Sequence, residues 1–407
     1  MEIKDLIAAE EKRQAETLAL IPSENYASAA VREAEGSVLS NKYSEGYPGK
    51  RYYQGNKIID EIETIAIDEA KKLFGVPHAN VQPYSGSPAN AAAMMAVCNP
   101  GDTIMGLKLS GGGHLTHGHP NITFSGKFFR SVQFDVDASG LIDYEAIAKL
   151  AETEKPKLII AGTTAYPRVL NWGRFAQIAD SVGAYLLADV SHIAGLVVGN
   201  VHPSPVPYAH VVMTTTHKTL RGPRGAILMV TQKGLDKDPD LAKKIDRAVF
   251  PGLQGGPHDN TTAAIAICLQ EAATPEFKKY AAQVVQNAKV LCEELIKLGF
   301  DLTTGGTDNH LMVLDLRNKN ISGKDAAIAL EEAGIIVNYN AIPHDPNPPN
   351  NPSGIRIGTP AVTTRGMKER EMVQIAQWIY DVTVNSNSNR NEIAEEVKKL
   401  CRKFPLP

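Results

Sequence analysis

Short apolar runs recur through the middle of the chain, each separated from the next by a stretch of helical spacing. TIMGL (103–107), KLIIAGT (157–163), AYLLADV (184–190), HVVMTTT (210–216) and AILMVT (226–231) are the strand candidates. Between them, DYEAIAKLAETE and WGRFAQIADSVG place apolar residues three and four apart, as one face of a helix requires. This rhythm predicts an α/β fold with a mostly parallel central sheet covered by helices. In such sheets ligands bind outside the carboxyl ends of the strands.

The flanks read differently. The first 20 residues have the pattern of an amphipathic helix ended by Pro22, and 58–73 that of a second helix closed by Gly75 and Pro77. NVQPYSGSPANAAAMMAV reads as a strand, a small-residue turn and a helix beginning near Pro88. Beyond Pro275 a long helical run (276–298) leads into HLMVLDL, a helix at 323–334, IIVNYN, a Pro/Asn-rich loop at 343–352 and a last helix. We therefore expect an N-terminal helical arm (1–30), a large domain (31–275) and a smaller α+β domain (276–407), with VNSNSNRNE near the C-terminus as a solvated linker.

Composition narrows the function. With 407 residues there is room for more than one core, and a net charge of −3 gives no basic footprint for nucleic acid or an anionic membrane. The four cysteines form no C-x-x-C pair, which fits free thiols in a reducing compartment and removes thiolate zinc sites. The N-terminus has no signal-peptide core, and no run approaches the roughly 18 apolar residues that span a bilayer. A cytoplasmic protein is expected.

The candidate chemistry sits at the predicted strand ends. Asp189 closes AYLLADV, with His192 three residues on; HVVMTTT runs into His217 and Lys218. Neighbouring parallel strands would bring acid and amine to one edge, where a buried lysine suits Schiff-base chemistry and an aspartate a pyridinium nitrogen. Taken singly, Lys218 also reads as a surface lysine and Asp189 as a helix cap. Ser85, Gly86 and Ser87 before a helix make a phosphate cradle or an ordinary cap. Neither G-x-x-x-x-G-K-[ST] nor G-x-G-x-x-G is present. In GGGHLTHGH, His114, His117 and His119 raise a metal reading, but their spacing suits no single helix face and no carboxylate or thiolate nearby completes a four-ligand shell.

Longer strings carry a resemblance. NKYSEGYPGKRYYQG (41–55) and VVMTTTHKTLRGPRG (211–225), with PSENYAS, NVQPYSGSPAN, GGHLTHG, VSHIAGLVVGNVHPSPVPYAHVV, VFPGLQGGP and SGIRIGTPAVTTRG, are similar to the serine hydroxymethyltransferase family. They run in order from residue 22 to 366. The resemblance implies a fold-type I pyridoxal-phosphate transferase with a seven-stranded sheet. It implies reversible conversion of serine and tetrahydrofolate to glycine and 5,10-methylenetetrahydrofolate through an external aldimine. It also implies a cytoplasmic homodimer, or a tetramer, that shares its active sites.

Residue by residue, the resemblance implies that Lys218 holds pyridoxal 5'-phosphate covalently, that Asp189 pairs with the pyridine nitrogen, and that His192 lies near the phenolic oxygen. Ser85, Gly86 and Ser87 would bind the phosphate, with Tyr43 and Gly256 from the neighbouring subunit, and His114 would stack on the ring. Arg356 would grip the substrate carboxylate, with Ser23 and Tyr53 close by. Glu45, donated across the dimer, would exchange protons with the substrate hydroxyl or folate. Thr215 and His217 would shape reaction specificity, and Leu109, Gly113, His114, Leu115 and Asn340 would meet the folate. His117 and His119 receive no role beyond packing or loop hydrogen bonds. Thr164 replaces the usual serine beside the cofactor, Asn260 a common histidine, and HDPNPPNNPSGIR lacks a Ser-Pro-Phe associated with folate contacts. The rival readings are a folate-independent threonine aldolase or transaldolase on the same fold, a non-catalytic pyridoxal-phosphate- or RNA-binding homologue, and a metalloenzyme.

Overall fold

A computed structural model describes residues 2–385 and 388–407, so the linker VNSNSNRNE lies partly outside the described residues. Seven strands form the main sheet: β1 (His78–Asn80), β2 (Thr103–Leu107), β3 (Arg130–Phe134), β4 (Leu158–Gly162), β5 (Tyr185–Asp189), β6 (Val211–Thr215) and β7 (Ala226–Val230). Their order is β1-β7-β6-β5-β4-β2-β3. The pairs among β2 to β6 are parallel, and β7 runs antiparallel to both β1 and β6. The reversal of β7 follows from its connection: residues 216–225 are too few for a crossover helix.

The central strands are buried on both faces, and their alternation feeds two cores. Ile159, Ala161, Leu186, Ala188, Val212, Ile227 and Met229 enter one. Leu158, Ile160, Leu187, Val211, Met213 and Leu228 enter the other, together with Ala89, Ala93 and Met94 of the helix Gly86–Val97. Asp189 shares its strand face with Leu187, and Thr215 with Met213. Both therefore point toward the helix Gly86–Val97.

A second, antiparallel sheet contains β8 (Asp301–Leu302), β9 (Leu311–Asp315), β10 (Asn338–Asn340) and β11 (Gly354–Gly358), in the order β8-β9-β11-β10. It has its own core, which also receives Leu18 and Leu20. The helix Pro275–Lys297 serves both units: Phe277, Ala281 and Val284 pack in the first core, Ala288, Leu291 and Leu295 in this one.

Several sequence expectations are corrected. The first helix is Ile3–Glu16, not 20 residues, because buried Leu18 lies in a short strand that pairs with Ile335–Ile336. Within IIVNYN that pair and Asn338–Asn340 therefore join different sheets. The helix expected to begin near Pro88 begins at Gly86, and proline is tolerated there because the first-turn N–H groups have no intrahelical partner. Two helices rather than one end the chain, Glu369–Thr383 and Arg390–Lys403; the side chain of Asn389 caps the second. All four cysteines are free and buried. Among the described residues no helix is long and apolar enough to cross a membrane.

Gly106 on β2 ties this fold to the loop beyond it, since a Cβ there would collide with the carbonyl oxygen of His117. Gly106→Ala is expected to destabilise the protein by about 1–3 kcal/mol through overpacking. Its thermal midpoint should fall accordingly, and an unchanged midpoint would show that the loop yields freely.

Candidate active site

At the carboxyl ends of β4, β5 and β6 lies a cavity of about 480 Å³ whose lining includes Ser85–Ser87, His114, Asp189, His192, Thr215, Lys218 and Arg356. A wider groove near Trp378 and Phe404, about 910 Å³, lies between the terminal helices, away from these groups.

Asp189 is the most constrained of these groups. Its Oδ2 accepts from Asn90 Nδ2 (3.0 Å) and from His117 Nε2 (2.9 Å), and its Oδ1 accepts from the Ser191 N–H (3.1 Å). Burial works to raise its pKa. The hydrogen bond from His117, with the charge of Lys218 behind, more than offsets that and holds the carboxyl well below the usual carboxylate range. With Nε2 donating to the carboxylate, His117 Nδ1 is left to accept the backbone N–H of His114 (3.3 Å).

His117 is thus the site residue that sequence reasoning missed. The one available signal was that a buried aspartate at a strand end must find donors. His114 uses its own Nδ1 on Thr116, both hydroxyl (2.8 Å) and N–H (3.1 Å), and burial lowers its pKa to about 4, keeping the ring neutral. His119 Nδ1 faces the Pro120 carbonyl (3.0 Å). The three imidazoles therefore diverge, and among the described residues no group of three or more His, Cys, Asp or Glu could hold a metal ion.

Lys218 follows β6 and lines the same cavity as Asp189. Burial brings its pKa down to about 8; Asp189 opposes the shift, while Arg356 and Arg224 add to it. Two buried polar atoms beside it, Thr215 Oγ1 and His217 Nδ1, have no hydrogen-bond partner. Burial with Arg224 and Lys218 takes His217 down to about 3, so its ring is neutral.

Ser85 precedes the helix Gly86–Val97 without capping it by its side chain, so the first-turn N–H groups face the cavity unspent. A Cβ at Gly86 would come within 2.7 Å of Thr215 Cγ2, so glycine lets helix and strand close up here.

Arg356 arrives from the second sheet, on β11. Its Nε donates to Asn338 Oδ1 (3.0 Å) and one terminal nitrogen to the Thr164 carbonyl (2.7 Å), while the Thr164 hydroxyl donates to the Gly113 carbonyl (2.7 Å). The threonine at 164 thus joins the arginine to the glycine-rich loop. Nearby, the 343–352 loop is organised by Asp345, which accepts from the N–H groups of Ile342, Asn347 and Ser353. His192 is buried against His310, which sequence reasoning did not single out, with Nδ1 to Nε2 at 3.3 Å. Burial lowers both, with Lys218 and Arg356 reinforcing it.

Ser23, Leu109 and Leu115 also line the cavity. Asn340 does not; its amide donates to the Ala341 carbonyl (2.6 Å). Tyr43, Glu45, Tyr53 and Gly256 form a separate cluster on the surface of the same chain. The Tyr43 hydroxyl is 3.3 Å from Glu45 Oε1, the Tyr43 and Tyr53 rings are 5.0 Å apart, and Gly256 lies against Tyr43. One chain does not bring this cluster to its own Lys218.

The unprotonated amine is the nucleophile, so in the ligand-free protein labelling of Lys218 by a small amine-reactive reagent should rise with pH through an inflection near 8. Mass spectrometry of the modified peptide reads this directly; an inflection near 10, as for an exposed lysine, would contradict the burial argument.

Residues 1–379 match the family described as serine hydroxymethyltransferase. The chain is 57% identical to the serine hydroxymethyltransferase of Acidothermus cellulolyticus, covering 100% of this chain and 95% of that protein. It is 57% identical to that of Desulfotalea psychrophila (100% and 94%) and 54% identical to that of Legionella pneumophila strain Corby (98% and 95%). With the α/β sheet and its strand-end cavity already in place, these matches show that the chain belongs to the serine hydroxymethyltransferase family.

Proposed function

We propose that this enzyme interconverts serine and glycine, exchanging the one-carbon unit with tetrahydrofolate, and that pyridoxal 5'-phosphate is its resident cofactor. One observation carries the reading: an ionised, buried aspartate and a buried lysine of lowered pKa share a cavity with an uncapped helix N-terminus. Each polar part of the cofactor has a counterpart there. Ser85, Gly86 and Ser87 suit the phosphate, Asp189 a protonated pyridine nitrogen, and Lys218 the aldehyde. Thr215 Oγ1 and His217 Nδ1, buried without partners, suit a polar group not yet counted. When bound, pyridoxal phosphate supplies the electron sink for breaking the Cα–Cβ bond of serine.

The chain's own residues do the rest. Asp189, already anionic, keeps the proton on the pyridine nitrogen. Lys218 would hold the cofactor through its amine and, once released by the incoming substrate amine, would be placed to take or return a proton at the substrate Cα. Arg356, fixed on one side by Asn338 and Thr164, turns its remaining donors to the substrate carboxylate, beside Ser23. Neutral His114 would stack on the cofactor ring, and neutral His192 would serve its phenolic oxygen. Leu109, Gly113 and Leu115 form the folate side, to which Asn340 would have to turn from Ala341. Tyr43, Glu45, Tyr53 and Gly256 act in the site of a second copy, which makes the working unit a homodimer, with a tetramer open to it. Division into 1–30, 31–275 and 276–407, and a cytoplasmic location, complete the reading.

The deciding experiment is an absorbance scan and an assay on the purified protein. A cofactor band in the visible range should vanish in Lys218→Ala, and serine should yield glycine only when tetrahydrofolate is supplied. Cleavage of threonine-like substrates with no response to folate would favour the aldolase instead. Separately, Arg356→Lys should raise KM for serine by about 10- to 100-fold, the equivalent of one lost charged hydrogen bond. A KM within error of the parent would remove the arginine from substrate binding.

A further inference from the structure

Glu45 stands in a segment too short to hold its own geometry, because the strands that follow, Gly46–Tyr47 and Lys50–Arg51, have only two residues each. The order comes from a buried side chain. Arg51, its side chain only 4% exposed, donates from one terminal nitrogen to two carbonyls, Ser44 (2.9 Å) and Gly46 (2.9 Å), the residues on either side of Glu45. Its other donors are anchored behind: Nε to Asp60 Oδ1 (2.8 Å) and the second terminal nitrogen to Glu63 Oε2 (2.6 Å).

The anchors are themselves fixed. Glu63 accepts from Gln82 Nε2 (2.7 Å), which also donates to the Gly46 carbonyl (3.0 Å). Asp60 accepts the Gly49 N–H (2.9 Å), and the Ser44 hydroxyl donates to buried Asp259 (2.6 Å). By contrast the Glu45 carboxylate meets a single hydroxyl, that of Tyr43, at 3.3 Å. The backbone is clamped on both sides and the side chain is left free.

A buried ion network of this kind is weak evidence for stability as such, since well-packed apolar residues often serve as well. What it supplies here is a fork of donors at fixed angles, which a lysine cannot reproduce. We propose that Arg51 is a positioning residue for Glu45: it clamps the carbonyls flanking Glu45 and so sets the point from which that carboxylate reaches the reacting hydroxyl. The proposal rests on the reading of Glu45 as a proton-exchanging group.

The test is a double-mutant cycle on the cofactor-loaded full chain. Arg51→Lys and the milder Asp60→Asn are each made in the parent and in a Glu45→Gln background, and kcat, KM for serine, cofactor occupancy by absorbance and thermal midpoint are measured. Arg51→Lys should lower kcat by about 10- to 100-fold in the parent, as misplacing a reacting group does, with KM changed less than about 2-fold. In the Glu45→Gln background it should change kcat by less than about 2-fold, because the group it positions is already gone. Equal losses in both backgrounds, or loss of occupancy in step with kcat, would reduce Arg51 to scaffold and overturn the proposal. If Arg51→Lys does not fold, Asp60→Asn carries the same comparison through its bonds to Arg51 Nε and the Gly49 N–H. A Glu45→Gln enzyme with unaltered kcat would instead overturn the reading of Glu45 itself.

Discussion

The charge on Asp189 is the constraint around which the site is assembled. A carboxylate taken out of water at the end of a central strand costs several kcal/mol unless donors replace the lost solvent. Three do: the amide of Asn90, the ring of His117 and the backbone of Ser191. They come from a helix, a loop and the turn after the strand. Satisfying one carboxylate therefore fixes the helix Gly86–Val97 and the glycine-rich loop against the sheet. Glycines make the approach possible, since a Cβ at Gly162 would press within 2.7 Å of Asp189 and within 3.1 Å of the His117 ring. The anion then acts on Lys218, favouring its charged form while burial favours the neutral one. The balance leaves an amine that can exist in either state near neutral pH.

Arg356 extends this arrangement to the second sheet. Its guanidinium bonds the Thr164 carbonyl, and the Thr164 hydroxyl bonds Gly113 in the same loop that carries His114 and His117. The loop is thereby held from both sides, by Asp189 below and Arg356 above. Other bonds stitch the segment after Thr164 to the second unit: the Tyr166 carbonyl accepts from Asn309 (3.1 Å), and Arg168 pairs with Asp308 (2.8 Å). Register between the sheets is thus set near the chemistry rather than at a remote hinge.

Strand existence was legible in the sequence because runs such as KLIIAGT and AILMVT are apolar without interruption, as strands covered on both faces must be. Their direction was less so: β7 reverses because of its short connection, a fact of spatial neighbourhood rather than of periodicity. Asp189 and Lys218 could be placed at strand ends by counting. His117 could not, because its role depends on the loop folding back over β2, which only Gly106 permits. Arg51 escaped for a similar reason. A basic residue in a run of tyrosines and glycines carries no mark of burial, and its carboxylate partners lie 9 and 12 residues on, in a helix whose buried face reads as apolar. The resemblance to a family points to candidate site residues, whereas the bonds that hold them depend on neighbours distant in sequence.

The electrostatic balance of the cavity also bears on what it can accept. Arg224 and Arg356 line it as cations, joined by Lys218 when protonated; of the two carboxyls, Asp189 is already committed to its donors and burial raises the pKa of Glu24. Four of the histidines at or beside it, His114, His192, His217 and His310, are held neutral, chiefly by burial. Charging any of them would add a cation to a cavity that already holds Arg224 and Arg356, and burial opposes it. The excess positive charge therefore remains available for ligands. A phosphate at the helix N-terminus and an amino acid carboxylate at Arg356, the ligands proposed above, would each neutralise part of it.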